Sequence, residues 1–346
     1  MDLAANKRFY MDLLNSTTFP GHGVRVEVPG QQDAAVLNYG SIEDCIEMGE
    51  RAFQFDCQCA EKVGDDRVPV AHAWSGTDVF AAAFGSPVHR SENDMPFALP
   101  AVSTAEEADD LVEPDIHTGP LGDILTLADG LVERFGSECP VRICDVQSPF
   151  DVAALIWEKT AFYVALLDTP DAVHRLLEKV TATMVRFVRT FRDRYENACL
   201  VHYPNLWIPA EWGVCLSEDE AGSVSASQFE EFCMPYLSRL AETFGGISLH
   251  SCAHSQHQWD SFLQLPGLRY LNLHHPPTSL EVAIEKCSGK AVLVPGDKNG
   301  HEDYLDFVKE CLALAQPDTR FFFIPEAKST EEARDLANDI KALCGR

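Results

Sequence analysis

The chain has 346 residues, 46% of them hydrophobic, with twelve cysteines and a formal net charge of −27. That charge excludes a nucleic-acid binder, since such binding depends on neutralising phosphates, and it disfavours a polyanionic ligand unless a local basic pocket exists. With no apolar run of the ~18 residues a membrane span needs, no signal-peptide pattern at Met1–Lys7 and no disulfide-like cysteine spacing, the expectation is a soluble protein of the reducing cytoplasm that makes no membrane contact.

Residues 1–66 read as an amino-terminal elaboration. Helices are expected at Lys7–Leu14 and Ser41–Glu50, the second capped by Ser41, with a short strand at Val24–Val28 between them. Ala52–Ala60 alternates with period two and precedes the turn Gly64-Asp65-Asp66, which predicts a hairpin leading into a first core strand at Arg67–Ala71. Cys57 and Cys59 would then be small thiols on one strand face, because a lone C-x-C pair is a weak metal signal.

From residue 67 onward strands and helices alternate. A helix at Val79–Phe84 stops at Gly85, and the Pro-rich stretch Pro87–Pro100 reads as an irregular loop. Helices at Ala105–Leu111 and Asp123–Phe135 are followed by a strand at Val141–Val146, helices at Pro149–Asp168 and Pro170–Tyr195, and a strand at Cys199–Tyr203. After a helix at Ser227–Phe244 comes a buried strand opened by Gly245-Gly246. It is followed by strands at Leu268–Leu273, Ala291–Val294 and Arg320–Ile324, with helices at Ser279–Cys287, Glu302–Ala315 and Thr330–Leu343 behind them. About eight strand–helix units can be drawn, with no glycine-rich phosphate loop after any strand. The fold class expected for residues 67–346 is α/β, a (β/α)8 TIM barrel, whose chemistry would sit where strands end.

Two stretches end strands with reactive side chains. After Tyr203 a long segment, 204–220, carries Trp207 and Trp212 with the acids Glu211, Glu218 and Asp219, which reads as an aromatic lid with candidate acid–base groups over a flat or partly apolar ligand. The bland alternative for the acids is solvation and helix capping. The second stretch is His250-Ser251-Cys252-Ala253-His254, soft metal ligands at the end of a buried strand. His274 and His275 follow the next strand; adjacent residues of an extended segment point opposite ways, so at most one reaches the centre. Cys144-Asp145 and His202 also end strands and read as packing or support.

The run Ser225–Leu237, with its Phe229-x-x-Phe232-x-x-Pro235-Tyr236, followed by Phe244–Cys252, is similar to the uroporphyrinogen decarboxylase superfamily, as are Asp78–Val88, Gln147-Ser148-Pro149-Phe150-Asp151 and Asp168–Asp171 with its long helix. The resemblance covers most of the chain from about residue 66 and implies a (β/α)8 barrel enzyme acting on a small-molecule substrate. Its decarboxylase branch implies an amino-terminal arginine clamp for substrate carboxylates, and here Lys7, Arg8, Arg25 and Arg67 are scattered. Its corrinoid-dependent methyltransferase branch implies zinc held by a histidine, a cysteine and a distant cysteine, with a corrinoid protein as partner. His250 and Cys252 match that pattern. The distant cysteine is missing from Phe323–Ala327, where Glu326 stands, and His254 is the other candidate, beside His274 or His275. Expected from the resemblance are therefore a metal site of His250, Cys252, His254 and Glu326, with Tyr203, Trp207, Trp212 and His275 lining the substrate. The alternatives are a metal-independent decarboxylase and a non-catalytic module binding a corrinoid protein or tetrapyrrole.

Overall fold

Short β-branched and apolar runs between amphipathic helices leave each strand hydrophobic on both faces, and such strands are stable only inside a parallel sheet covered by helices. A computed structural model describes residues 2–15, 19–28, 41–90, 95–275, 278–297 and 301–346. Helix α1 (Leu3–Asn15), strand β1 (Gly23–Val24) and helix α2 (Ile42–Lys62) precede strand β2 (Ala71–His72) and helix α3 (Val79–Ala83). A small antiparallel hairpin, β3 (Val88–His89) with β4 (Phe97–Ala98), occupies the stretch expected to be irregular; residues 91–94 lie outside the described residues. Helices α4 (Ala105–Asp110) and α5 (Gly119–Phe135) lead to β5 (Val141–Arg142). Then come α6 (Pro149–Ile156), α7 (Lys159–Asp168) and α8 (Pro170–Arg194), β6 (Ala198–Cys199) and β7 (Val214–Ser217). The remaining units are α9 (Ala226–Phe232), α10 (Met234–Phe244), β8 (Ile247–Ser251), α11 (Trp259–Phe262), β9 (Leu268–His275), α12 (Leu280–Cys287), β10 (Val292–Asp297), α13 (Tyr304–Leu314), β11 (Phe322–Phe323) and α14 (Thr330–Leu343).

The pairings run parallel round a barrel. β2, β5 and β6 form one stretch and β7, β8, β9 and β10 another. Cys215 N–H donates to the Leu200 carbonyl at 2.9 Å between β6 and β7, Leu293 bridges Phe321 between β10 and β11, and β1 pairs with β11. Inward alternation gives an interior layer of Val70, Cys199, Val201, Cys215, Tyr270, Val292, Val294 and Phe322, onto which α1 packs Tyr10, Leu13 and Leu14. The outward residues Ile143, Leu200, Leu216, Leu249, Leu271, Leu293 and Phe323 belong to the larger core shared with the surrounding helices. No helix of the described residues is long and apolar enough to cross a membrane.

Three expectations change. Ala52–Ala60 is helical, since α2 runs on to Lys62 with Asp56, Cys59 and Ala60 on its buried face. Its second half has no β-branched residue to favour a strand, and the capping box at Ser41 with Asp44 starts a helix that nothing stops before Val63. The predicted helix Pro149–Asp168 breaks at Trp157, and Glu158 caps the next one by accepting the Ala161 N–H at 2.8 Å. Most consequential, the supposed lid 204–220 contains the barrel strand β7. The connection from β6 to β7 has only a 3-10 turn at Ala210–Trp212, so the absence of a crossover helix hid the strand.

Gly213 opens β7 with φ +123°, and a Cβ there would lie 2.3 Å from the Gly246 carbonyl carbon and oxygen. Gly213→Ala is expected to cost about 1–3 kcal/mol from strain and forced displacement. A urea midpoint unchanged from the parent chain would contradict that close approach.

Candidate active site

Strand parity decides which of the predicted side chains meet. On β9, Tyr270 faces the interior layer and Asn272 and His274 line the central cavity, so His275 points the other way: it is buried, with Nδ1 2.9 Å from the Thr278 carbonyl. On β8 the same alternation brings His250 inward at the strand's carboxyl end.

His250 is held in one tautomer. Its Nδ1 lies 2.7 Å from Asn272 Oδ1, while the Asn272 amide nitrogen donates to the Val294 carbonyl at 2.7 Å. The second bond fixes the amide with its oxygen toward the ring, so His250 donates from Nδ1–H and carries its lone pair on Nε2. Burial pushes this histidine below the ordinary range, against the opposing charge of Asp219, so the ring is neutral at pH 7. Tyr203 and His274 stand edge-on to it, with centroids 4.7 and 5.4 Å away.

β7 supplies an acid. Its register places Ser217 beside His250, and two residues on Asp219 Oδ1 accepts the Cys252 N–H at 2.7 Å. One donor atom from each of Asp219, His250 and Cys252 lies within 4.8 Å of the other two, the only such group of three among the described residues. Thiolate, neutral imidazole and carboxylate are all zinc ligands, and donors on one zinc ion sit about 3.5 Å apart, so the set fits that metal after small side-chain adjustments. Of the twelve cysteines Cys252 alone is exposed. His254 is exposed outside this group, and Glu326 follows β11, where it bridges Glu27 and lines the cavity.

Behind the group lies a carboxyl pair. Asp151 accepts the Asp219 and Glu220 N–H groups at 2.8 and 3.1 Å. Burial, with the Asp219 charge, pushes Asp151 up to about 7. Glu218 is fully buried, and burial first, then Asp151, holds it well above the usual carboxyl range. Of the three acids singled out, Asp219 thus faces the ligand group and Glu218 lies behind it. Glu211 is exposed at the opposite, amino-terminal end of β7. The same strand direction takes the tryptophans from the mouth. Trp207 packs against Tyr10 and Lys7 of α1, and Trp212 lies under Arg269, whose guanidinium reaches the Gly245 carbonyl at the start of β8.

Two features that sequence reasoning left as background belong to the site's surroundings. His202 Nδ1 lies 3.4 Å from Asp145 Oδ2. Burial opposes a charge on His202, yet the Asp145 carboxylate raises it to about 10; burial also opposes ionisation of Asp145, which His202 holds below its usual value. A folded-state histidine raised above its unfolded ~6.5 adds stability that is complete below pH 6.5 and fades as pH climbs toward 10. Asp145→Asn is therefore expected to destabilise most near pH 6 and progressively less up to pH 10, as read by urea melts across that range. An equal loss at both ends would contradict the ion pair. The second feature is a cavity of about 220 Å³ inside the barrel, bounded by His72, Trp74, Arg142, Tyr203, His274 and Glu326 among others. The scattered arginines also converge, but not as a clamp. Arg25 and Arg67 both donate to Asp56 at 2.9 Å, and Arg67 also binds Asp65. Position at a strand end was the only sequence signal for Asp145 and His202; Asn272 and Asp151 had none beyond lying on a barrel strand and in the Gln147–Asp151 run.

Comparison with known proteins follows this geometry. The family model described as uroporphyrinogen decarboxylase (URO-D) matches residues 30–294. No curated protein matches the sequence. Among solved structures, a methyltransferase from Methanosarcina mazei superposes with a TM-score of 0.72 at 15% identity, covering 98% of this chain and 98% of that one. A candidate vitamin-B12-independent methionine synthase from Listeria monocytogenes gives 0.53 at 12% identity, over 94% and 96% of the two chains. At these identities the likeness is one of fold, and the fold is the TIM barrel.

Proposed function

The chain belongs to the uroporphyrinogen decarboxylase (URO-D) family, and from that premise we propose that it is an enzyme moving a methyl group between a corrinoid and a thiol or related acceptor, with Asp219, His250 and Cys252 holding zinc at the barrel mouth. The observation that carries this reading is the approach of those three donors to within 4.8 Å of one another. Three protein ligands leave a position open for substrate, the pattern of catalytic zinc. When bound, the metal would lower the pKa of an acceptor thiol so that its thiolate is available at neutral pH.

The chain's own residues do the positioning. Asn272 turns the His250 lone pair outward from their shared hydrogen bond, and Asp219 ties the Cys252 backbone to the end of β7. Tyr203 and His274 touch the His250 ring and also line the 220 Å³ cavity, which supports them as the wall between ligand group and substrate. That volume falls below the ~300–1,000 Å³ of sites for drug-sized ligands, so it suits a small acceptor; a corrin carried by a partner protein would approach from the wider cavity of about 980 Å³ that shares His274 and Glu326 with it. Arg25 and Arg67 are engaged by Asp56 and Asp65, which counts against their use as a clamp for a polycarboxylate, and the cavity's Arg142 donates to Asn205 and to the Leu206 carbonyl. In this reading residues 1–66, whose strand β1 pairs with β11, extend a catalytic barrel of residues 67–346, and His254 and Glu326 stand outside the ligand group. Twelve cysteines outside any disulfide fit a reducing cytoplasm.

The test is purification without chelator, zinc analysis, and incubation with methylcobalamin and small thiols. The expected result is about one zinc per chain and thiol methylation lost on chelation. Chelator-insensitive release of carbon dioxide from a carboxylate substrate would replace this reading with a metal-independent decarboxylase. Binding without turnover would leave a corrinoid- or tetrapyrrole-docking module.

A further inference from the structure

The Gln147–Asp151 run carries a carboxylate that its own helix does not use. In a capping box the acid three residues into a helix reaches back to the cap N–H. Here Ser148 caps α6 by accepting the Asp151 N–H at 3.0 Å, but the Ser148 N–H is taken by the Ser217 carbonyl at 2.7 Å. The Asp151 carboxylate is directed instead across to the turn after β7, where its two oxygens accept two successive backbone donors, Asp219 N–H and Glu220 N–H. It is 4% exposed, so little water competes for those bonds. The same turn is held from its far side, because the Glu220 carboxylate bonds Tyr163 and Lys159 of α7. The side chain so presented, Asp219, is the one that bonds the Cys252 backbone and stands beside His250.

We propose that Asp151 is a positioning residue for the metal group: it fixes the turn 219–220 so that the Asp219 carboxylate meets His250 and Cys252. This inference rests on the metal reading above. It makes α6 a structural support for a site built on β7 and β8, and it gives a role to a run that the site itself does not include. Asp151 touches no substrate or metal in this scheme; its effect passes through Asp219.

The experiment measures Co²⁺ and Zn²⁺ affinity by chelator competition, with the visible spectrum of the Co²⁺ form, for the parent chain and for Asp151→Asn, Asp219→Asn and Ser41→Ala. Ser41 caps α2 by accepting the Asp44 N–H and takes no part in the ligand group or in holding the turn, so it reports a purely structural loss. Asp151→Asn keeps the shape and one acceptor oxygen. It is expected to weaken both metals about 10–100-fold, as loss of an outer-sphere partner commonly does, and to shift the Co²⁺ d–d bands in the same direction as Asp219→Asn. Ser41→Ala is expected to lower the melting temperature while leaving affinity and spectrum unchanged. Parent-like affinity and spectrum in Asp151→Asn would overturn the inference, as would an equal loss of affinity in Ser41→Ala. A parent chain that binds neither metal would instead overturn the metal reading itself. If Asp151→Asn does not fold, Asp151→Glu, which retains the charge but displaces it, serves the same comparison with the same outcomes.

Discussion

Cys252→Ala is expected to lower zinc affinity by more than the ~10–100-fold that follows loss of an outer-sphere partner, and to abolish methyl transfer. Cys252 is the most exposed of the twelve cysteines and the one that stands with two other donors, Asp219 and His250. Its loss would leave one imidazole and one carboxylate, an inadequate set for a structural or a catalytic zinc site. The His250 ring would remain ordered, because its bond to Asn272 does not involve the metal. Asp219→Ala is expected to behave similarly, whereas His254→Ala is expected to leave affinity within about twofold, since His254 lies outside the converging group. Competition against a chromophoric chelator measures all three. Equal, near-zero zinc in the parent and in Cys252→Ala would dispose of the metal, and a strong loss in His254→Ala would redraw the ligand set.

The second large effect concerns stability. Asp56→Ala is expected to destabilise the chain by about 3–5 kcal/mol, because it removes the carboxylate that two buried guanidiniums share and leaves Arg25 to Glu27 and Arg67 to Asp65. Arg25 and Arg67 are 2% and 0% exposed, and both donate to Asp56 Oδ1 at 2.9 Å. Burial opposes the Asp56 charge, but Arg25 and Arg67 outweigh it and hold the carboxyl below its usual value. A depressed carboxylate contributes stability that is complete above the unfolded pKa of ~3.9 and is lost as pH falls through the folded value. The Asp56 contribution should therefore hold down to about pH 4, and the Asp56→Ala deficit should shrink below it. Urea melts at pH 7 and pH 3 read both; a loss under about 1 kcal/mol at pH 7 would mean that Glu27 and Asp65 suffice to neutralise the arginines.

The position of the candidate site was legible in the chain because one motif combined three independent cues. The glycine pair before Ile247, the apolar run and the soft ligands behind it mark a strand end in a parallel α/β fold, and β8 is that strand. The third donor was not legible. Asp219 sat inside a segment whose length and acidity read as a lid, because β7 is four residues long and its connection from β6 carries no helix. Once β7 is recognised, direction alone separates Glu211 and Trp212 at its foot from Asp219 at its head. Parity separates His274 from His275 for the same kind of reason: a strand that is one residue longer or shorter at either end keeps its two faces, but only neighbours show which face is the interior.

What the sequence by itself determined is therefore local and periodic: the barrel rhythm, the helix starts at Ser41 and Pro149, and the place of His250 and Cys252 at the end of a strand. These follow from propensity, capping and alternation within a few residues. The tertiary structure alone decided the contacts between strands distant in sequence. It set Asp219 against Cys252 across 33 residues, Asn272 against His250 across 22, Asp151 against Asp219 across 68 and Asp56 between two arginines. Such pairs depend on register and on which face turns inward, and those are properties of the closed sheet that no single segment encodes.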